Sequence, residues 1–175
     1  MTELQKIERV KILCDPALDV KIRKDIVNNL SGAVFSHQGK YLWLGTDELV
    51  AIERFTRLEN SPGLFGEHQR FYLKNSIDGF DEQQGEVDVE GLDYSDGYLW
   101  VIGSHSSKRK KVEIEADKFK IEGKELKKVV RQENRYLLAR IPINEAGELD
   151  NKSAQRGWLS RDGSSNSLTK ALATD

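Results

Sequence analysis

The stretch Gly85 to Lys110, GEVDVEGLDYSDGYLWVIGSHSSKRK, decides how the chain is read. Asp96-Gly97 lies between two runs of alternating apolar residues, and such a dipeptide accepts the left-handed backbone of a tight hairpin turn. With a two-residue loop Ser95 pairs with Tyr98, and Asp88 falls opposite His105. With a three-residue loop Tyr94 pairs with Tyr98, and Asp88 falls opposite Ser104. In either register Asp88 and Glu90 share a sheet face, because side chains alternate with period 2. These carboxylates open one strand and Ser104-His105 closes its partner, so all four are expected at one end of the hairpin.

An earlier stretch, LSGAVFSHQGKYLWLGTDE (Leu30 to Glu48), follows the same plan. Gly32 matches Gly91, and Tyr41-Leu42-Trp43 matches Tyr98-Leu99-Trp100. Both runs then reach a glycine, Gly45 or Gly103, before a polar turn. A self-similar unit of about four short strands is the signature of a propeller blade. Leu49 to Phe55 and Gln69 to Leu73 supply further strands to the first copy, and Arg135 to Ile141 takes the former role in the second.

The expected fold is therefore all-β, a partial β-propeller of about two four-stranded antiparallel blades. Residues 28–80 form the first blade and 81–143 the second, with an insertion over 108–133. Leu126, Val129 and Val130 are at helical spacing, which predicts a short amphipathic helix near 123–132. Residues 1–27 read as N-terminal strands, since Glu8 to Leu13 and Val20 to Val27 alternate polar and apolar. Residues 144–175, rich in Asn, Ser, Gly and Asp, read as a poorly structured tail and a point of truncation. Two blades alone leave a sheet face and a strand edge uncovered. Missing C-terminal blades, or self-association, are expected to cover them.

The bulk properties narrow the classes of partner. The 175 residues are 38% hydrophobic and 32% charged, within the globular range. A net charge of −2 steers the chain neither to nucleic acid nor to an anionic membrane. Lys108-Arg109-Lys110-Lys111 is a local exception, but Glu113, Glu115 and Asp117 follow it at once. The single cysteine, Cys14, excludes an intrachain disulfide and reads as a small packing residue. The start MTELQKIERV has neither a basic nor an apolar leader region, and no apolar run is long enough to span a bilayer. A cytoplasmic location is the default expectation. His37 and His68 read as surface residues, and the aromatics Tyr41, Trp43, Tyr98 and Trp100 as packing between blades.

At EVDVEGLDYSDGYLWVIGSHSSKRK, with NRYLLARIPI (Asn134 to Ile143) downstream, the chain resembles a bacterial domain of unknown function, family 3616. The shared run is an acidic residue, Glu-Gly-Leu, a Leu-Trp-Val strand, Gly-Ser-His-Ser and a Lys-Arg pair. The resemblance covers roughly residues 28 to 143. It implies a β-propeller-like fold in a chain about twice this long, of which this would be the N-terminal half, and it supplies no activity. More distantly, Asp88-x-Glu90-Gly91 is similar to a strand start in phytase-like propellers, where such carboxylates bind calcium.

Chemistry is expected at the rim where the hairpin ends gather. The first copy has Asn29 and Ser31 where the second has Asp88 and Glu90, so the fold itself does not require carboxylates there. A propeller scaffold binding a ligand or partner at the rim of its second blade is the leading expectation, with calcium as the candidate cation. Asp88, Glu90, Asp47 and Glu48 are the candidate metal ligands, since hard cations want several oxygens. The alternative is a metal-assisted hydrolase, phosphoesterase-like, with His105 as general acid/base oriented by Asp88. Lys108 and Arg109 would then hold an anionic group. Gly103-Ser104-His105-Ser106 lacks the nucleophile-elbow pattern, so a serine nucleophile is weaker. A third reading is structural: the carboxylates bind backbone, His105 caps a turn, and the basic pair is solvated.

Overall fold

Two antiparallel sheets carry the fold, and the Asp96-Gly97 turn lies in the second. The computed structural model describes residues 9–59, 61, 63–109, 129–130, 132–162 and 165–173. Strand β1 (Lys11–Ile12) precedes helix α1 (Val20–Asn28) and the meander β2 (Leu30–Ser36), β3 (Tyr41–Thr46), β4 (Ala51–Arg57), β5 (Leu64–Tyr72). Then come β6 (Val89–Ser95), β7 (Tyr98–Gly103), β8 (Lys108–Arg109), β9 (Val129–Val130), β10 (Leu138–Pro142) and β11 (Gly157–Trp158). The described chain closes with β12 (Arg161–Asp162), β13 (Ser165–Asn166) and helix α2 (Ser167–Leu172). The first sheet has the order β1-β5-β4-β3-β2 and the second β11-β10-β7-β6. Among the described residues only β1 pairs in parallel, with β5. No helix among the described residues is long and apolar enough to cross a membrane.

The hairpin takes the two-residue loop. Ser95 pairs with Tyr98, and Asp96 (φ 52) and Gly97 (φ 80) are both left-handed. The ladder does not stay regular to its far end. Gly91 pairs with Ile102 but Val89 pairs with Gly103, so Glu90 is the extra residue of a β-bulge. The shift overturns the placement of Asp88 opposite His105. It also breaks the period that was to put Asp88 and Glu90 on one face, and Asp88 itself is left-handed (φ 53). Strand β2 has a bulge at the matching place, between Leu30 and Gly32.

The main core lies between the sheets. Trp43 and Ile52 from the first meet Leu99, Val101, Ala139 and Ile141 from the second. Strands β2 and β6 run side by side here, and a Cβ on Gly32 would stand 3.2 Å from the Leu92 backbone nitrogen. Only glycine lets the two backbones approach so closely. The other face of the first sheet packs Leu42, Leu44, Phe55 and Phe65 against Ile26 of α1.

Several expectations are corrected. Val20 to Asn28 is a helix, not a strand. Asp19 caps it by accepting from the Lys21 backbone nitrogen, and Ile22 and Ile26, four residues apart, face the sheet. The alternation of Val20 and Ile22 suits either period over so short a run. Near 123–132, Val129 and Val130 are extended and pair with Arg109 and Lys108. Gln132 is extended too, and the rest of that expected helix, 123–128 and 131, lies outside the described residues, as do Lys110 and Lys111. The tail does not fray over its described part: β11 completes the second sheet, and Ile143 and Leu149 join the core. Its polar residues serve as turn formers, as when Asn144 Oδ1 accepts from the Glu148 backbone.

The two sheets share a cross-strand row. In the first it reads Val34–Trp43–Arg54, in the second Asp93–Trp100–Arg140. Each arginine lies over a tyrosine ring, Arg54 at 4.8 Å from Tyr41 and Arg140 at 5.0 Å from Tyr98. The first row faces the second sheet, and there the guanidinium of Arg54 donates to the Gly147 carbonyl at 2.5 Å. Burial pushes the pKa of Arg54 down, and nearby Tyr41, Glu148 and Glu67 oppose that. The second row points away from the core. Trp43 is 0% exposed and Trp100 36%, so only one of the two tryptophans packs between sheets.

Candidate functional site

The rim at the open end of the β6–β7 hairpin is built around Arg135, which is 8% exposed. The short 3₁₀ turn Glu133–Tyr136 delivers it, directly before β10. Gly103 ends β7 where a side chain cannot fit, since a Cβ there would lie 2.5 Å from the Arg135 carbonyl. The chain past Gly103 then folds over the guanidinium. Arg135 Nε donates to the Ser106 carbonyl at 2.9 Å and Nη2 to Ser106 Oγ at 3.0 Å. Nη1 donates to Glu86 Oε1 at 2.9 Å, and Nη2 pairs with the Asp88 carboxylate. Lys108 Nζ shares Glu86 at 2.6 Å. Two carboxylates and two cations thus balance within one cluster.

His105 stands beside this cluster with both ring nitrogens engaged. Its backbone is left-handed (φ 50), and its N–H donates to the Arg135 carbonyl at 2.9 Å. Nε2 lies 2.6 Å from Asn166 Nδ2, and Nδ1 lies 2.9 Å from the Gly103 carbonyl. The amide of Asn166, which is fully buried, is oriented from two sides: Nδ2 donates to the Tyr136 carbonyl and Oδ1 accepts from the Thr169 backbone. Asn166 must therefore donate to Nε2, and the proton on the ring sits on Nδ1, donated to Gly103. The imidazole is thus held as a brace, by hydrogen bonds at both ring nitrogens.

The sequence-derived candidates thus scatter in role. Asp88, Ser106, Lys108 and His105 do gather at the rim. Asp88 contacts Arg135 and not the imidazole. Glu90 is exposed in the bulge. Ser106 Oγ donates to Ser104 Oγ at 3.1 Å, and among the described residues no base stands against either hydroxyl. Arg109 is placed by its backbone, opposite Val129. Asp47 follows β3, donating its backbone N–H to the Asn29 carbonyl, while Glu48 is exposed. Among the described residues no three His, Cys, Asp or Glu side chains cluster as metal ligands.

A second polar cluster lies elsewhere. Glu53 on β4 is 0% exposed and pairs across the ladder with Arg70 on β5. Arg70 Nε donates to it at 2.8 Å and His68 Nε2 at 2.7 Å. Phe55 stacks flat on the imidazole at 4.4 Å. His68, read from sequence as a surface residue, has a side chain only 1% exposed. Its Nδ1 accepts from the Asp15 backbone, which ties the N-terminal segment to the first sheet. For Arg70, burial pulls the pKa down, but the Glu53 hydrogen bond and charge, then Tyr72, leave it raised.

Cys14 sits near this cluster. Burial pushes its thiol above the ordinary range and Glu53 adds to that, against a smaller pull from Arg23. The nucleophilic thiolate is therefore scarce at neutral pH. Alkylation by iodoacetamide at pH 8 is expected to run slower for Cys14 than for a free cysteine peptide; an equal or faster rate would refute the assignment.

Three residues that organise the rim were not singled out from sequence: Glu86, Arg135 and Asn166. For Asn166 a signal existed. Asn166-x-x-Thr169 is a capping pattern, and both of its reciprocal hydrogen bonds form at the start of α2. The family model described as a protein of unknown function (DUF3616) matches residues 29–175. The match reaches past Ile143, through β11 to α2. No curated protein matches the chain, and no solved structure does.

Proposed function

We propose, for a chain that belongs to this family of unknown function and inherits no activity from it, a binding scaffold of the propeller type. Its two sheets would be successive blade-like units, and the rim of the second would present a fixed loop, Gly103 to Lys108, to a polar ligand or partner. The observation that carries the reading is the backbone of the rim. His105 and Asp88 both hold left-handed conformations, although neither is glycine. Such residues cost free energy, on the order of 1 kcal/mol each, and persist where the surroundings over-determine them. Arg135 and Asn166 supply that constraint here. The arrangement holds Ser104, Ser106, Lys108 and Glu90 in place at the surface before any ligand arrives, which is the preorganisation that binding rewards.

The shared register of the two sheets, bulge against bulge and row against row, supports reading them as repeated units. The hydrolytic alternative finds less support. An imidazole whose Nε2 already accepts from Asn166 has no lone pair to take a proton from water, and Asp88 is spent on Arg135. Calcium would have to draw Asp88 away from that guanidinium, whereas Glu90 is exposed in the bulge. Amide chemical shifts followed during separate titrations with calcium chloride and inorganic phosphate test the reading. Perturbations confined to Glu86–Glu90 and Ser104–Lys108 are expected with one of the two probes, and silence from both would sink it. Hydrolysis of generic phosphate esters should be absent, before and after His105→Ala.

A further inference from the structure

From the outward face of the second sheet we infer that this chain pairs with a second copy of itself, sheet against sheet, across Trp100. The face is the positional counterpart of the one by which the first sheet packs on the second. Gly91 takes the place of Gly32, Trp100 of Trp43, Leu138 of Ile52 and Arg140 of Arg54. In the first sheet these positions are covered. In the second, Trp100 is 36% and Ile102 41% exposed, flanked by shallow hollows of about 230 and 200 Å³. Exposed apolar area bordered by charge, on a sheet whose twin position is buried, marks a surface built to be covered.

One substitution between the twins selects the occupant. Where the covered row has Val34, the outward row has Asp93, so it reads Asp93–Trp100–Arg140 across three neighbouring strands. Neither Asp93 nor Arg140 has an ion-pair partner among the described residues. A further sheet offering the kind of apolar face that meets Val34 and Trp43 would bury Asp93 without a counter-charge, which is strongly unfavourable. A copy of the same face avoids this. A two-fold axis running along β7 lays β6 of one copy over β10 of the other. Asp93 then meets Arg140 of the second copy, Arg140 meets its Asp93, and the two Trp100 rings lie at the centre. Such an interface is isologous, as a two-fold requires. The charge pattern is self-complementary in this one orientation only; an axis across the strands would set Asp93 against Asp93.

Charge exchange tests the pairing without disturbing the fold, because both residues are exposed. Sedimentation velocity over a concentration series should show a monomer–dimer equilibrium for the unaltered chain. Asp93→Arg alone and Arg140→Asp alone each set like charges face to face, and should weaken the dimer at least about 100-fold. An equimolar mixture of the two variants restores both pairs, and should dimerise as a heterodimer. Far-ultraviolet spectra should remain those of the unaltered protein. A chain that stays monomeric throughout the series overturns the inference, as does a dimer indifferent to the single changes. So does a mixture that fails to recover.

Discussion

Replacing Arg135 with methionine is expected to destabilise the protein by about 3–5 kcal/mol, the usual cost of removing one partner from a buried ion pair. The guanidinium serves two carboxylates, Glu86 and Asp88, whose side chains are 16% and 14% exposed. Without it both charges stay in a poorly solvated rim with Lys108 as the remaining cation paired there among the described residues. It also holds Ser106 by two hydrogen bonds, so the loop over it loses its anchor. For a domain whose whole stability is of order 5–15 kcal/mol, this is a large fraction. Urea denaturation measures it directly. A control separates charge from packing: Arg135→Met combined with Glu86→Gln and Asp88→Asn removes the stranded carboxylates, and should recover much of the loss. Asparagine is chosen at 88 because it tolerates the left-handed backbone there. Lys108→Met should cost no more than about 1 kcal/mol, since that lysine is 38% exposed and solvent screens its pair with Glu86. Equal losses at Lys108 and Arg135 would show that the cluster is not organised as described.

Much of the β architecture could be read from a few residues. Asp96-Gly97 specified the hairpin, because few other dipeptides accept two left-handed residues in succession, but the choice between a two- and a three-residue loop stayed open until the pairing of Ser95 with Tyr98 settled it. The two Tyr-Leu-Trp triplets located equivalent strands in both sheets. What could not be read follows from interactions distant in sequence. A bulge at Glu90 slides the register by one, and nothing in Val89-Glu90-Gly91 alone distinguishes it from a regular strand. Trp43 and Trp100 sit in the same local pattern, yet only the arrival of a second sheet decides which is buried. Helix α1 has its signal in the Asp19 cap, but the stretch Val20 to Val27 opens with Val20-Lys21-Ile22-Arg23, an alternation that suits a strand equally well. At the rim, the hairpin pattern places Asp88, Glu90, Ser104 and His105 at one end, but the roles of Asp88 and His105 depend on Arg135 and Asn166. Those arrive from other elements and convert a presumed acid–base pair into a salt-bridged cluster beside a braced imidazole. His68 shows the same limit. A histidine in a polar stretch looks exposed until Glu53 and Asp15 are brought to its two nitrogens.

Arg70→Met is the second substitution expected to cost about 3–5 kcal/mol, for the same physical reason at a more deeply buried site. Glu53 is wholly shielded from solvent, and its two partners approach from the neighbouring strand. Removing Arg70 leaves the carboxylate with His68 alone. To neutralise it through that contact, the imidazole would need a second proton on Nδ1, where the Asp15 N–H already points. Charging the ring would therefore break the tie between the N-terminal segment and β5. Two consequences distinguish this account from a simple loss of packing. First, Glu53→Leu together with Arg70→Met should be less destabilised than Arg70→Met alone, because a buried charge has been exchanged for apolar contact with Phe55. Second, the damage should spread along the tie. In Arg70→Met, amide hydrogen exchange at Lys11 and Leu13, whose N–H groups bond the Gly63 and Phe65 carbonyls, should accelerate well beyond that of β7. Uniform acceleration across both sheets would mean that the chain unfolds as one unit and that the cluster has no local role. Acceleration limited to β1 and α1 would mark Glu53–His68–Arg70 as the fastening by which the N-terminal helix is kept on the first sheet.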